Sequence, residues 1–168
     1  ILALLVAVSG GALGIIGAII QEFQASPAFL LGPFVAAPII EEAMKPVGVY
    51  IALIRWPLAL RSQTFTAVLA ALAGLVFGII ESIVYVTIYV DDPSDTFVAY
   101  RFSVTLGLHA AASYLVGLGI NQGVLDWAQG RSPLPRASRN FYFAGVILQS
   151  LYNTTVVILA ISGITDFD

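Results

Sequence analysis

The chain has no cysteine, one histidine and one methionine, and only 10% of its 168 residues are charged. A soluble domain carries about 25% charge, so this chain is not built to face water. The missing cysteines exclude disulfides and thiolate zinc sites. A net charge of -3 without any basic cluster excludes a nucleic-acid partner. What fills the space is apolar: 59% of the residues are hydrophobic and the mean hydropathy is +0.95.

Five apolar stretches approach or reach the ~20 residues that cross a bilayer, at roughly 1–20, 33–54, 66–90, 97–121 and 141–162. In lipid each must be a helix, because every backbone polar group needs a partner within the segment. The pattern predicts an all-α, polytopic transmembrane bundle of about five spanning helices, with residues 1–168 forming a single domain in a lipid bilayer. The polar connectors are QEFQASP, RWPLALRSQT, DDPSD and NQGVLDWAQGRSPLPRASRN. Arg55 and Arg61 lie in the second, and Arg131, Arg136 and Arg139 in the fourth. Only Arg101 borders the third. Basic residues stay on the cytoplasmic side. The second and fourth connectors are thus predicted there, with Trp56 and Trp127 at that interface, while DDPSD and the C-terminal TDFD face outward. Gly10, Gly14 and Gly17 in the first span, and Ala70, Gly74 and Gly78 in the third, form small-residue stripes on which helices can approach closely. Nothing in the pattern fixes an oligomeric state.

Ionisable groups inside spans are rare, costly and commonly functional. Here they are Glu41, Glu42, Lys45, Glu81 and His109, with Asn153 as a further polar group. Glu41 and Lys45 are four apart and Glu42 and Lys45 three apart, so all three share one helix face. A self-neutralised ion pair accounts for one glutamate but not for two. Two adjacent carboxylates at a low-dielectric site do not both ionise cheaply, an arrangement used in acid/base chemistry. Glu before Lys at i,i+4 is the better pairing, which favours Glu41 as the lysine's partner and leaves Glu42 as the general base. Pro46 predicts a local kink just after the pair. Glu81 shares a face with Gly74, Gly78 and Tyr85; its plain alternative is a carboxyl hydrogen-bonded to Tyr or Ser. His109 sits among Gly107, Ala110, Ala111 and Ala112, and Asn153 reads most simply as an interhelical hydrogen-bonding group. Counted from the outer ends of their spans at ~1.5 Å per residue, Glu41, Glu81, His109 and Asn153 all fall roughly 12–18 Å deep. That common level argues for one shared site in the outer half of the membrane.

These residues resemble the PrsW family of intramembrane proteases. EEAMK fits the family's EExxK signature, FGIIES its FxxxE element and LHAAASYLVG its single-histidine helix, in the same order. The resemblance runs from about Pro33 to Asn153, and more distantly reaches the CAAX-prenyl-endopeptidase and bacteriocin-processing superfamily with its EExxxR signature. Two positions depart: Ser82 stands where the family commonly has Asn, and Gln149 where relatives carry His, which leaves Asn153 as the better match on the last helix. The resemblance implies a prokaryotic, multi-pass membrane protease with Glu41, Glu42 and His109 essential. It also implies a transmembrane protein or peptide substrate, of the anti-sigma-factor type.

The chemistry expected is peptide hydrolysis by a glutamate-activated water. One of the pair acts as base, the other is held by Lys45 and Glu81, His109 orients the water or the developing oxyanion, and Asn153 supplies a second donor. No cofactor is called for. A zinc-dependent protease remains the alternative, with Glu41, Glu42, Glu81 and His109 as ligands. HExxH and GxSxG motifs are absent, and every aspartate lies in a connector or at the C-terminus, which disfavours an intramembrane aspartyl dyad. A proton- or ion-coupled transporter fits less well, because one polar cluster in one half of the membrane gives no path across and no inverted repeat is visible. A passive scaffold leaves the doubled carboxylate unexplained.

Overall fold

The computed structural model describes residues 1–24 and 32–162. The C-terminal TDFD, expected on the outer side, and residues 25–31 of the first connector lie outside the described residues. Among the described residues there is no strand. The helices are α1 (Leu2–Gln24), α2 (Ala37–Met44), α3 (Val47–Arg55), α4 (Gln63–Val84), α5 (Asp95–Tyr100), α6 (Leu106–Gly119), α7 (Gln122–Ala128) and α8 (Arg136–Ile161). Among the described residues, three helical stretches are long and apolar enough to cross a membrane: Gln63–Tyr89, Asp95–Gly119 and Arg136–Ile161. The first of these continues α4 through a π-helical turn, Tyr85–Tyr89, and the second joins α5 to α6 through another, Arg101–Thr105. The helix α1 is apolar over Leu2–Gly17. The second predicted span is broken: a π-helical turn at Gly32–Ala36 leads into α2, and Lys45–Pro46 form a turn before α3. Proline cannot donate the helical hydrogen bond at that point, so the chain bends one residue after the charged triplet.

Packing runs around a ring. The helix α1 lies against α4, α4 against α6, α6 against α8, α8 against α2, and α2 back against α1. Glycine sets the spacing at each main contact. A Cβ on Gly11 would come within 2.1 Å of the Ala73 carbonyl oxygen, one on Gly74 within 2.4 Å of the His109 carbonyl oxygen, and one on Gly117 within 2.6 Å of Ala67 Cα. Backbones this close exchange dispersion contacts directly, which is what holds helices together where lipid is as apolar as leucine.

Polarity is distributed inside out. Ile51, Ile54, Val68, Val104, Ile147 and Ile158 are exposed, while Glu42, Lys45, Arg101, His109, Ser113 and Gln149 are buried. In water this would be a costly arrangement; in lipid it is the favourable one. The interior is also divided along its length. Val49, Leu53, Leu69, Ala70, Val116 and Ile120 form an apolar core toward the end that carries the arginine-bearing connectors. The second connector is tied to the end of α6 there: Gln63 Nε2 donates to the carbonyls of Gly117 at 2.9 Å and Ile120 at 3.0 Å. The charged side chains gather in the other half of the bundle.

Replacing Gly117 with valine is therefore expected to lower the unfolding free energy by about 1–3 kcal/mol. Gly107 lies on an exposed face, and a Cβ added there would meet nothing within 4 Å. It should accept alanine with a gain of up to ~1 kcal/mol from helix propensity. Thermal unfolding in detergent of G117V and G107A compares the two directly; equal melting temperatures would refute close packing at the α4–α6 contact.

Candidate active site

Five elements build the polar half. The helix α2 carries Glu41 and Glu42, the turn after it Lys45, α4 Glu81, α6 His109 and Ser113, and α8 Gln149. The α4 stripe expected to admit a neighbour beside Glu81 does so. A Cβ on Gly78 would lie 2.9 Å from His109 Cδ2, so the imidazole occupies the space that this glycine leaves.

Lys45 is at the centre and fully buried. Its Nζ donates to Glu42 Oε1 at 2.6 Å and to Gln149 Oε1 at 2.7 Å, and lies 2.9 Å from His109 Nδ1. Glu41 Oε2 is 3.3 Å away. An ammonium has three donors and no acceptor, so His109 Nδ1 must be the accepting nitrogen. The ring proton then sits on Nε2, which donates to Glu81 Oε2 at 2.9 Å. The same logic orients the amide: its oxygen faces the lysine, and Gln149 Nε2 donates to Glu41 Oε2 at 2.6 Å. The Phe77 ring lies under the ammonium, 4.5 Å from Nζ, a favourable cation–π placement where water is excluded. Ser113 Oγ donates to Glu42 Oε2 at 3.3 Å.

Beyond His109 the network continues outward. Arg101 Nη2 donates to Glu81 Oε2 at 2.7 Å, and its guanidinium carbon sits 4.0 Å from the centre of the Tyr85 ring. Ser82 Oγ donates to the Arg101 carbonyl at 3.0 Å. Glu81 is the most accessible of the three carboxylates, with 19% of its side chain exposed against 8% for Glu41 and none for Glu42. The network therefore opens at the Glu81–Arg101 end, beside the acidic third connector.

The structure brings Glu41, Glu42, Lys45, Glu81 and His109 into one hydrogen-bonded network. It differs from the sequence reading in three details. The lysine pairs more closely with Glu42 than with Glu41, because tertiary partners override the local i,i+4 preference: Gln149 reaches Glu41, and Ser113 and Lys45 close on Glu42. Gln149, set aside in favour of Asn153, makes the contact to the pair from α8; Asn153 lies one turn further on and is half-buried. Arg101, assigned to the edge of a connector, is buried within the span. Spacing held the signal, since Arg101, Thr105, His109 and Ser113 recur every four residues along one helix face, and all four are buried.

Taken together, a helical bundle with an aliphatic exterior and a buried cluster of carboxylates, ammonium and imidazole defines a polytopic membrane protein with an intramembrane polar site. The chain belongs to the PrsW family: the family model described as "PrsW family intramembrane metalloprotease" matches residues 1–166. No curated protein and no solved structure matches the chain significantly.

The family description raises the question of a metal. Glu41 Oε2, Glu42 Oε1, His109 Nδ1 and Gln149 Oε1 face one point, a donor set that a cation would accept. That point is held by Lys45 Nζ, at 2.6–3.3 Å from each. Among the described residues no group of three or more His, Cys, Asp or Glu is arranged as a metal shell. Zinc would require ligands at about 2.0–2.2 Å and would share its place with a positive charge. In this arrangement the residues do not fit a metal.

Glu42 and Lys45 depend on each other, because each is buried without access to water. Replacing Lys45 with methionine should cost about 3–5 kcal/mol, the penalty for leaving one partner of a buried pair uncompensated. The double variant K45M/E42Q, which removes both charges, should recover much of it. Unfolding in detergent checks this, and a K45M protein as stable as wild type would contradict the central role of the ammonium.

Proposed function

We propose that this chain is an intramembrane endopeptidase that hydrolyses a peptide bond of a transmembrane protein with a carboxylate-activated water, and that Glu41 is the general base. The observation that carries the assignment is the contrast within the pair. Both oxygens of Glu42 are engaged, by Lys45 and Ser113, and its side chain is fully buried. Glu41 is engaged through Oε2 alone among the described residues and retains some exposure. A water can therefore bind Glu41 and not Glu42.

In the reaction Glu41 accepts a proton from that water as its oxygen bonds to the scissile carbonyl carbon. The charge that develops on the carbonyl oxygen lies in the field of the Lys45 ammonium, in a site of low dielectric where a fixed charge acts strongly. Glu42 holds the ammonium in place, and Glu81 fixes the His109 tautomer whose Nδ1 receives one of its protons. Glu41 then passes the proton to the leaving nitrogen as the carbon–nitrogen bond breaks, giving a carboxyl and an amine end. Asn153 is assigned as a further donor to the carbonyl oxygen. The five arginines at the opposite end support placing the site in the extracytoplasmic half, and the family resemblance supports an anti-sigma-factor-like membrane protein as substrate.

The test is cleavage of single-span reporter proteins in liposomes. Glu41→Gln should reduce turnover by about 10²–10⁴-fold, the usual contribution of a general base, with an unfolding temperature close to wild type. A zinc chelator should leave the wild-type rate unchanged. Normal turnover by E41Q would remove Glu41 from the role of base, and loss in chelator that zinc restores would make the enzyme metal-dependent.

A further inference from the structure

Arg101 contributes more to the site than a counter-charge. It is 8% exposed within a membrane-spanning stretch, where an arginine is costly unless each of its donors is used. Its Nη2 is used by Glu81 Oε2, and one face of the guanidinium by Tyr85. Its Nε is not: among the described residues it is the buried side-chain nitrogen or oxygen that has no hydrogen-bond partner. Such groups are uncommon and call for an explanation. Two π-helical turns converge there, one beginning at Tyr85 and the other at Arg101 itself. Turns of this kind are found frequently at functional sites. The position is also at the open end of the network, where Glu81 is the accessible carboxylate.

A substrate arriving there has the complementary need. A transmembrane helix must unwind before its peptide bond can be attacked, and each carbonyl released from its helical partner then needs a donor, because lipid supplies none. We infer that Arg101 is a substrate-binding residue, and that its Nε–H, enclosed in the substrate-free protein, donates to a backbone carbonyl of the unwound strand next to the scissile bond. This rests on the peptidase reading above. Glu81 holds the guanidinium through Nη2 and so presents the remaining N–H in a fixed direction; Lys at this position would keep the charge on Glu81 but has no second donor on a rigid plane.

The experiment is a double-mutant cycle in kcat/KM. A panel of synthetic single-span peptides in detergent micelles is screened for cleavage by wild type, with products read by mass spectrometry. A cleaved peptide is then resynthesised with a thioamide, a weaker acceptor, at each position flanking the scissile bond in turn. One thioamide should cost wild type about 10-fold and cost R101K almost nothing further, while the others cost both enzymes equally. R101K alone should lose about the same 10-fold, chiefly through KM, with its unfolding temperature near wild type. Independent, multiplying losses at every position would overturn the assignment and leave Arg101 as a support for Glu81 alone. No cleavage of any peptide by wild type would overturn the peptidase reading itself, and this inference with it.

Discussion

One fully buried ammonium organises this molecule. Lys45 cannot reach water, so each of its three protons must find an acceptor inside the bundle, and the acceptors come from α2, α6 and α8. That requirement fixes more than the lysine. It selects the His109 tautomer, orients the Gln149 amide, and through those two defines what Glu81 and Glu41 receive. A weaker arrangement would leave a charge or a donor stranded in a medium that solvates neither. The network is therefore satisfied nearly throughout, and the Arg101 Nε–H is informative because it stands alone among the described residues.

The helices can meet such a demand only by approaching closely, and the glycines make that possible. Gly74 and Gly78 place α6 against α4 so that His109 lies over the glycine surface within reach of both Glu81 and Lys45. The apolar half of the bundle does the complementary work. Its aliphatic core closes the end beneath the arginine-bearing connectors, so the polar half is reached from the side of the acidic connector. Site and scaffold are thus joined: the close contacts that stabilise helices in lipid also set the distances of the hydrogen bonds.

Much of this was legible in the sequence because lipid leaves few options. Long apolar runs must be helices, and charges within them must meet, so Glu41, Glu42, Lys45, Glu81 and His109 could be placed together without coordinates. What was not legible depended on side-chain direction. Local helix rules pair Lys45 with Glu41, whereas the lysine settles on Glu42 because Gln149 and His109 compete for its protons from other helices. Gln149 stands where relatives carry His, a departure that favours Asn153, and nothing in its local pattern shows that α8 turns it toward α2. Arg101 borders the third connector, only a few residues into the predicted span 97–121, so its sequence position suggests an edge residue; its four-residue spacing from Thr105 and His109 identifies the shared face only once the helix is known to begin at Asp95.

The charge balance links the architecture to chemistry. Three carboxylates, Glu41, Glu42 and Glu81, share the network with two fixed cations, Lys45 and Arg101, while His109 is neutral in the tautomer that the lysine imposes. Glu42 is matched by the ammonium and Glu81 by the guanidinium. Glu41 is left with a neutral amide and a share of the lysine at 3.3 Å. Glu41 is therefore the carboxylate of this network without a cation of its own. That asymmetry supports the proposal that Glu41, and not Glu42, is the general base, since the surrounding network pairs the other charges.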